Sequence, residues 1–300
     1  MRKIIAIGES VLDTIFRNNK PVKAFVGGRV ANAAASLAVA GVPCTMVSEC
    51  TTDRVGDIII DFLTSHGVDV SSIDRYPDGA TRLSAIFDDE NKPLIVNYGE
   101  YPEERFDVVW PRIDEDDIVI IGSLYAVDLP QRDRLFDLLK HAVDRKAIIV
   151  YLPGLQHGIN FRITHVMPHI LENLEISQLV IATRHDLDTI FPEEESGECY
   201  QNHIRFYDNT FVFINEDLRE TVYCGDKTFT IKPHDKVPQQ ASMLGWQSGL
   251  TAGIIYQLIE QDVTHETLES LDSDTWNSII EKAHRWALEA SLNEDHCINK

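Results

Sequence analysis

Gly27-Gly28-Arg29-Val30-Ala31-Asn32-Ala33-Ala34 is the stretch on which the fold turns. Two consecutive glycines permit a tight turn, and the alanine-rich run behind them predicts a helix over Arg29–Ala40. Gly41 follows as its C-terminal cap. Small side chains along such a helix predict close packing against a sheet. Working outward, short apolar runs at Ile4–Ile7, Thr45–Ser48, Ile118–Ile121, Ile148–Leu152, Leu179–Ala182 and Phe211–Ile214 read as buried parallel strands. Between them, Asp57–His66, Gln131–Asp144 and Thr164–Asn173 carry helical patterns, and Ser248–Glu260 and Ser273–Ser291 add two more near the end. Strand alternating with helix predicts an α/β chain with helices on both faces of a mostly parallel sheet. Two stretches break the rhythm. Thr14–Val26 alternates around Asn18-Asn19-Lys20-Pro21, and Thr81–Tyr98 around Asp88-Asp89-Glu90-Asn91, so each reads as a hairpin. Hairpins inserted in an α/β chain often cover a ligand site.

Composition narrows the function classes. The 300 residues are 44% hydrophobic and 25% charged, as in a globular chain. Lys and Arg number 27 against 48 acidic residues, a formal charge of −21, which argues against a nucleic-acid partner. A small phosphorylated ligand stays open, because backbone N–H groups bind phosphate without net positive charge. No apolar run approaches the roughly 20 residues that span a bilayer. Met1-Arg2-Lys3 leads straight into Ile4, without a signal-peptide core, so the expectation is a cytoplasmic protein with no membrane partner. Five scattered cysteines without a C-x-x-C pair predict reduced, buried thiols rather than a disulfide framework or zinc site. Neither a P-loop nor G-x-G-x-x-G is present, and the histidines show no metal-ligand spacing, so no metal residue is named.

The Gly27–Ala34 segment resembles the N-terminal signature of the PfkB, or ribokinase-like, carbohydrate kinases. Gly8-Glu9 with Asp13, then Asp53, Gly56, Leu63 and Gly67-Val68-Asp69, follow the family spacing, and Ala252-Gly253-Ile254-Ile255-Tyr256 resembles the helix after its catalytic loop. The resemblance implies a ribokinase-like three-layer sandwich over residues 1–300 as one domain. A central, mostly parallel sheet would carry a small β-sheet lid made by hairpins at about 14–26 and 81–98. It implies ATP-dependent phosphorylation of a sugar hydroxyl, with Mg²⁺. Asp13, Gly27, Gly28 and Asn32 then fall at the sugar, where a carboxamide both donates and accepts. Arg29, and Arg82 on a lid strand, read either as surface salt-bridging residues or as contacts to a charged ligand.

On the nucleotide side the resemblance thins. The family's G-A-G-D loop supplies phosphate-binding N–H groups and the catalytic base. It aligns with Gly245-Trp246-Gln247-Ser248, so a serine stands at the base position. Losing a positioned base removes ~10²–10⁴ in rate, roughly 3–5 kcal/mol. Ser248 reads as a helix N-cap, and Trp246 as a ring placed where phosphate should enter. The family's N-x-x-E aligns with Thr183-Arg184-His185-Asp186, its D-P-N with Leu152-Pro153-Gly154 and its T-x-G with Ile214-Asn215-Glu216. Asp235 is too far upstream to serve as base without a gap. Three readings remain open. One is a catalytically impaired sugar kinase that binds a sugar or sugar acid without ATP. Another is a working kinase with a displaced base, using ATP and Mg²⁺. The last is a partner subunit that dimerises through its lid strands.

Overall fold

A computed structural model describes residues 2–87, 94–102, 107–155, 163–207, 209–231, 237–238 and 240–299. Thirteen strands occur among these: β1 (Ile4–Ile7), β2 (Val11–Arg17), β3 (Lys20–Gly27), β4 (Cys44–Thr51), β5 (Asp69–Tyr76), β6 (Ala80–Phe87), β7 (Leu94–Glu100), β8 (Ile118–Gly122), β9 (Ile148–Leu152), β10 (Leu179–Thr183), β11 (Thr210–Ile214), β12 (Glu220–Cys224) and β13 (Lys227–Thr230). The α-helices are α1 (Arg29–Val39), α2 (Arg54–Ser65), α3 (Arg132–Asp144), α4 (Ile163–Ile176), α5 (Arg184–Ile190), α6 (Ser196–Cys199), α7 (Met243–Glu260) and α8 (Ser273–Leu292).

The large sheet has nine strands in the order β13-β12-β11-β10-β9-β8-β1-β4-β5. All neighbours pair in parallel except β11 with β12 and β12 with β13. Its central strands β1, β8, β9, β10 and β11 are buried throughout, and the alternation assigns their residues to one of two cores. Ile4, Ala6, Ile118 and Ile120 face the core shared with α1, α7 and α8. Ile5, Ile7, Val119 and Ile121 face the core shared with α3 and α4. Helices on both faces leave neither side of the sheet to water, which is why the strands read as continuous apolar runs. This is the three-layer arrangement of ribokinase-like proteins.

The smaller sheet has the order β3-β2-β6-β7. Two hairpins make it, β2–β3 and β6–β7, joined by parallel pairing of β2 with β6. The first turns at Asn18 and Asn19, with φ of 51° and 59°. Asparagine tolerates this left-handed conformation, and two such residues suit a tight hairpin. The turn expected at Asp88–Asn91 lies outside the described residues. Asp53 ties lid to sandwich: it caps α2 by accepting from Gly56 N–H at 2.7 Å, and also accepts from Thr81 N–H at 2.9 Å and the Thr81 hydroxyl at 2.7 Å. Partial burial pushes its carboxyl up, but the hydrogen bonds from Gly56, Thr81 and Thr51 outweigh that and hold it at about 2.

Two differences from the sequence expectation bear on function. Helix α7 begins at Met243, five residues before Ser248, with Ser242 as its N-cap. Strands β5, β12 and β13 also went unforeseen, being largely polar on one face, and β12 and β13 being short as well. All five cysteines are buried and none forms a disulfide. No helix among the described residues is long and apolar enough to cross a membrane.

Candidate active site

Strand order reverses beside β1: the chain passes from β1 to β4 on one side, and from β8 to β9 on the other. Crevices at the carboxyl ends of strands form where order reverses in this way. A cavity of about 350 Å³ lies there, large enough for a small ligand. Glu9 follows β1, Gly28 and Arg29 open α1, Ser123 follows β8 and Gly154 follows β9. The lid closes the other side with Asp13, Arg82, Ser84 and Asn97, while Leu244 and Gln247 reach in from α7.

The sequence-named residues divide at this cavity. Asp13 and Gly28 line it. Gly27 lies directly behind Asp13, since a Cβ there would come within 2.0 Å of Asp13 Oδ2. Gly28 has φ +109°, and a Cβ on it would meet the Glu9 carbonyl oxygen at 2.3 Å, so both glycines are required by close approach. Asn32 does not line the cavity; it is buried one turn into α1, and its Oδ1 accepts no hydrogen bond among the described residues. Ser123 adopts φ +59°, a conformation that costs a non-glycine residue ~1–3 kcal/mol and that clusters at functional sites.

Charge is concentrated at this cavity. Burial pushes the Asp13 carboxyl up to about 7, with Glu9 adding to the rise and a hydrogen bond from Ser84 opposing it. Glu9 is raised by burial and by Asp128, against the pull of Arg82. Arg82 donates to Asp128 at 3.2 Å, lies 3.9 Å from Glu49, and has its guanidinium 5.1 Å from the centre of the Tyr101 ring. Asp13 therefore carries a pH signature. Its folded pKa exceeds the unfolded value of about 3.9, so its contribution to stability is full below that value and is lost as pH rises through about 7. Asp13→Asn is expected to melt higher than the parent at pH 8 and equally at pH 4. Equal melting at both pH values would show that Asp13 is not buried as described.

The segment aligned with the catalytic loop is not a loop. Ser248 sits in the second turn of α7 with no exposed surface, and its hydroxyl lies 3.1, 3.2 and 2.9 Å from the carbonyl oxygens of Leu244, Gly245 and His296. It does not line the cavity; Gln247, the residue before it, does. The N-cap role expected for Ser248 belongs to Ser242, whose hydroxyl accepts from Gly245 N–H at 3.4 Å. Trp246 turns away too. It is 2% exposed within the core, its ring 6.0 Å from that of His284, and so does not stand in the phosphate path. Helical periodicity explains both corrections: once the helix starts at Met243, Leu244 and Gln247 share the cavity face, and Trp246 and Ser248 point elsewhere.

Elsewhere on this side, Asp186 caps α5 in reciprocal bonds with Thr183. Asn215 Oδ1 accepts from the N–H groups of Asp217 and Arg219, closing the turn after β11 on itself. Asp235 lies outside the described residues. Among the described residues, no three His, Cys, Asp or Glu side chains group as metal ligands. Glu9, Ser84, Asn97, Ser123 and Asp128 were missed as cavity residues by sequence reasoning, whereas Gln247 was expected at the site as part of a phosphate loop. Only Glu9 carried a signal, through its place after the first strand.

A doubly wound sheet, a four-stranded lid and a polar cavity between them define a sugar-kinase fold, and comparison with known proteins agrees. Residues 1–237 match the family described as pfkB family carbohydrate kinase. The chain belongs to that family. The match ends before α7. Fructokinase from Xylella fastidiosa with bound ATP has a TM-score of 0.80 at 16% identity, over 99% of this chain and 95% of that one. Fructokinase from Vibrio cholerae O395, in fructose, ADP and calcium ion bound form, has a TM-score of 0.75 at 16% identity, over 97% and 92%. Aminoimidazole riboside kinase from Salmonella enterica, complexed with aminoimidazole riboside and an ATP analog, has a TM-score of 0.74 at 15% identity, over 97% and 94%. No curated protein sequence matches.

Proposed function

We propose that this chain binds a small sugar in the cavity between sheet and lid, and that phosphoryl transfer to it is lost or strongly slowed. The observation that carries this reading is Ser248, buried inside α7 and bonded to backbone, at the position aligned with the family base. A hydroxyl is a poor base at neutral pH, and this one cannot reach a ligand. Gln247, which does reach the cavity, has a neutral amide that cannot accept a proton. Asp13, Glu9, Ser84 and Asn97 supply acceptors and donors matched to sugar hydroxyls, so binding chemistry persists where transfer chemistry does not.

The nucleotide side fits a magnesium-bound triphosphate poorly. Gly245 N–H is taken by Ser242, the Asn215 turn is closed on itself, and Glu216 adds an exposed carboxylate beside it. Titration calorimetry with Mg-ATP and a sugar panel, alongside an ADP-release assay, tests the reading. The expected result is heat from a sugar, none from Mg-ATP and no sugar-dependent ADP. Micromolar Mg-ATP binding with sugar-dependent ADP release would make this a working kinase. The dimeric reading has one observation in its favour: among the described residues β3 and β7 are free edges of the lid sheet, with Val22, Leu94 and Tyr98 exposed. Sedimentation across a concentration series tests it, and a concentration-independent monomer removes it.

A further inference from the structure

Two arginines line the cavity, and they are held differently. Arg82 on the lid is engaged by Asp128, Glu49 and the face of Tyr101. Arg29, the first residue of α1, is ion-paired with Asp186 alone and makes no hydrogen bond among the described residues. Its side chain is 8% exposed, and Nε, Nη1 and Nη2 are all shielded from solvent. The carboxylate it faces, Asp186, stands 3.8 Å away, beyond hydrogen-bonding distance. That oxygen already accepts from the Thr183 N–H and hydroxyl, each at 2.8 Å. Burial lowers the Arg29 pKa and Asp186 raises it, but a guanidinium stays protonated in proteins. A buried cation with five unmade N–H bonds is an expensive arrangement for the empty protein, and an entering acceptor relieves it.

Resting on the sugar-pocket reading above, we propose that the ligand is a sugar acid, a polyhydroxy carboxylate whose carboxylate is received by Arg29. A planar carboxylate matches the guanidinium fork with two parallel hydrogen bonds, once the side chain turns from Asp186 toward it. A neutral sugar leaves those donors unmade. A phosphate ester brings two negative charges, where a carboxylate brings one, to a guanidinium already paired with Asp186 and to a cavity already holding Glu9, Asp13 and Asp128. The hydroxyls of the acid fall to Glu9, Asp13, Ser84, Asn97 and Gln247, which offer both donors and acceptors.

Calorimetry on the full chain tests this with aldonates, each paired with the neutral alditol of the same configuration, and with the matching hexose 6-phosphates. The best aldonate is expected to bind roughly 10- to 100-fold more tightly than its alditol, the range of a charged hydrogen bond. Arg29→Met is expected to erase that preference and leave alditol binding in place, while Arg29→Lys keeps part of it. The wild-type comparison stands alone should the methionine variant not fold. Equal affinity for acid and alditol, tighter binding of a hexose phosphate, or a preference that survives Arg29→Met each overturns the inference while leaving a sugar pocket. Failure of every polyol, charged or neutral, overturns the pocket reading and this inference together.

Discussion

Ser248→Asp, the substitution that writes the family base back into the aligned position, is expected to destabilise the protein and to restore no phosphoryl transfer. The serine hydroxyl donates into a cage of three carbonyl oxygens, those of Leu244, Gly245 and His296, all within 3.2 Å. An ionised carboxylate there has no donor to offer and faces three negative dipole ends without water. Burying an uncompensated charge costs several kcal/mol, so a loss of ~3–5 kcal/mol is expected, a fall in melting temperature on the order of 10 °C. The last residues of the chain would feel it first. His296 packs at 4.2 Å between ring centres on Phe25, Ile298 N–H donates to Ser36 at 3.2 Å, and these two contacts, like the Ser248–His296 bond, depend on the tail staying in place. The loss should narrow as pH falls toward about 4, where a protonated carboxyl can donate to the His296 carbonyl. Ser248→Ala provides the scale, since deleting one hydroxyl costs only ~1 kcal/mol. A Ser248→Asp protein as stable as its parent, with sugar-dependent ADP release, would place this residue in a loop at the active site instead.

What the sequence made legible follows from how each signal arises. The parallel strands announced themselves because both faces of Ile4–Ile7, Ile118–Gly122 and Ile148–Leu152 are dry, giving uninterrupted apolar runs. The hairpins showed through the alternation that comes from one covered face. Gly28 and Asp13 were legible because a backbone constraint and a strand end each leave a residue-type mark. The start of α7 was not. Met243-Leu244-Gly245-Trp246-Gln247 carries no turn residue except Gly245, which alignment had assigned to a phosphate loop; the alternative N-cap, Ser242, was one of two serines six residues apart. Starting the helix five residues earlier turns Met243–Gln247 from loop into helix, and so puts Gln247 at the cavity and Ser248 away from it. Arg29 was open for the opposite reason: nothing in sequence distinguishes a surface arginine from a buried one, and its state depends on Asp186, 157 positions away.

Gly249→Ala sets two principles against each other, and the packing one is expected to win. In an isolated helix the change stabilises by about 1 kcal/mol, because alanine is the better helix former. Gly249, however, belongs to a stripe at i, i+4 spacing with Gly245 and Gly253, along which α7 lies against α8. A Cβ at Gly249 would stand 2.5 Å from the Trp286 carbonyl oxygen and 2.8 Å from Ala290 Cβ. At Gly245 it would meet the Ala290 carbonyl oxygen at 2.4 Å, and at Gly253 the Ala283 Cα at 2.7 Å. These obstacles are backbone and short side chains, which cannot rotate away, so the helices must separate. Overpacking of this kind costs ~1–3 kcal/mol for one methyl, and Gly249→Val is expected to prevent folding or leave a protein with a broad, low melt. Thermal unfolding decides: an alanine variant more stable than its parent would mean that the two helices do not approach as described. The same contact bears on function. With Gly245 pressed against α8 and Ser242 N–H donating to the Ser291 carbonyl at 2.8 Å, the first turn of α7 is clamped as helix, and its backbone cannot open into a phosphate cradle unless α8 moves with it.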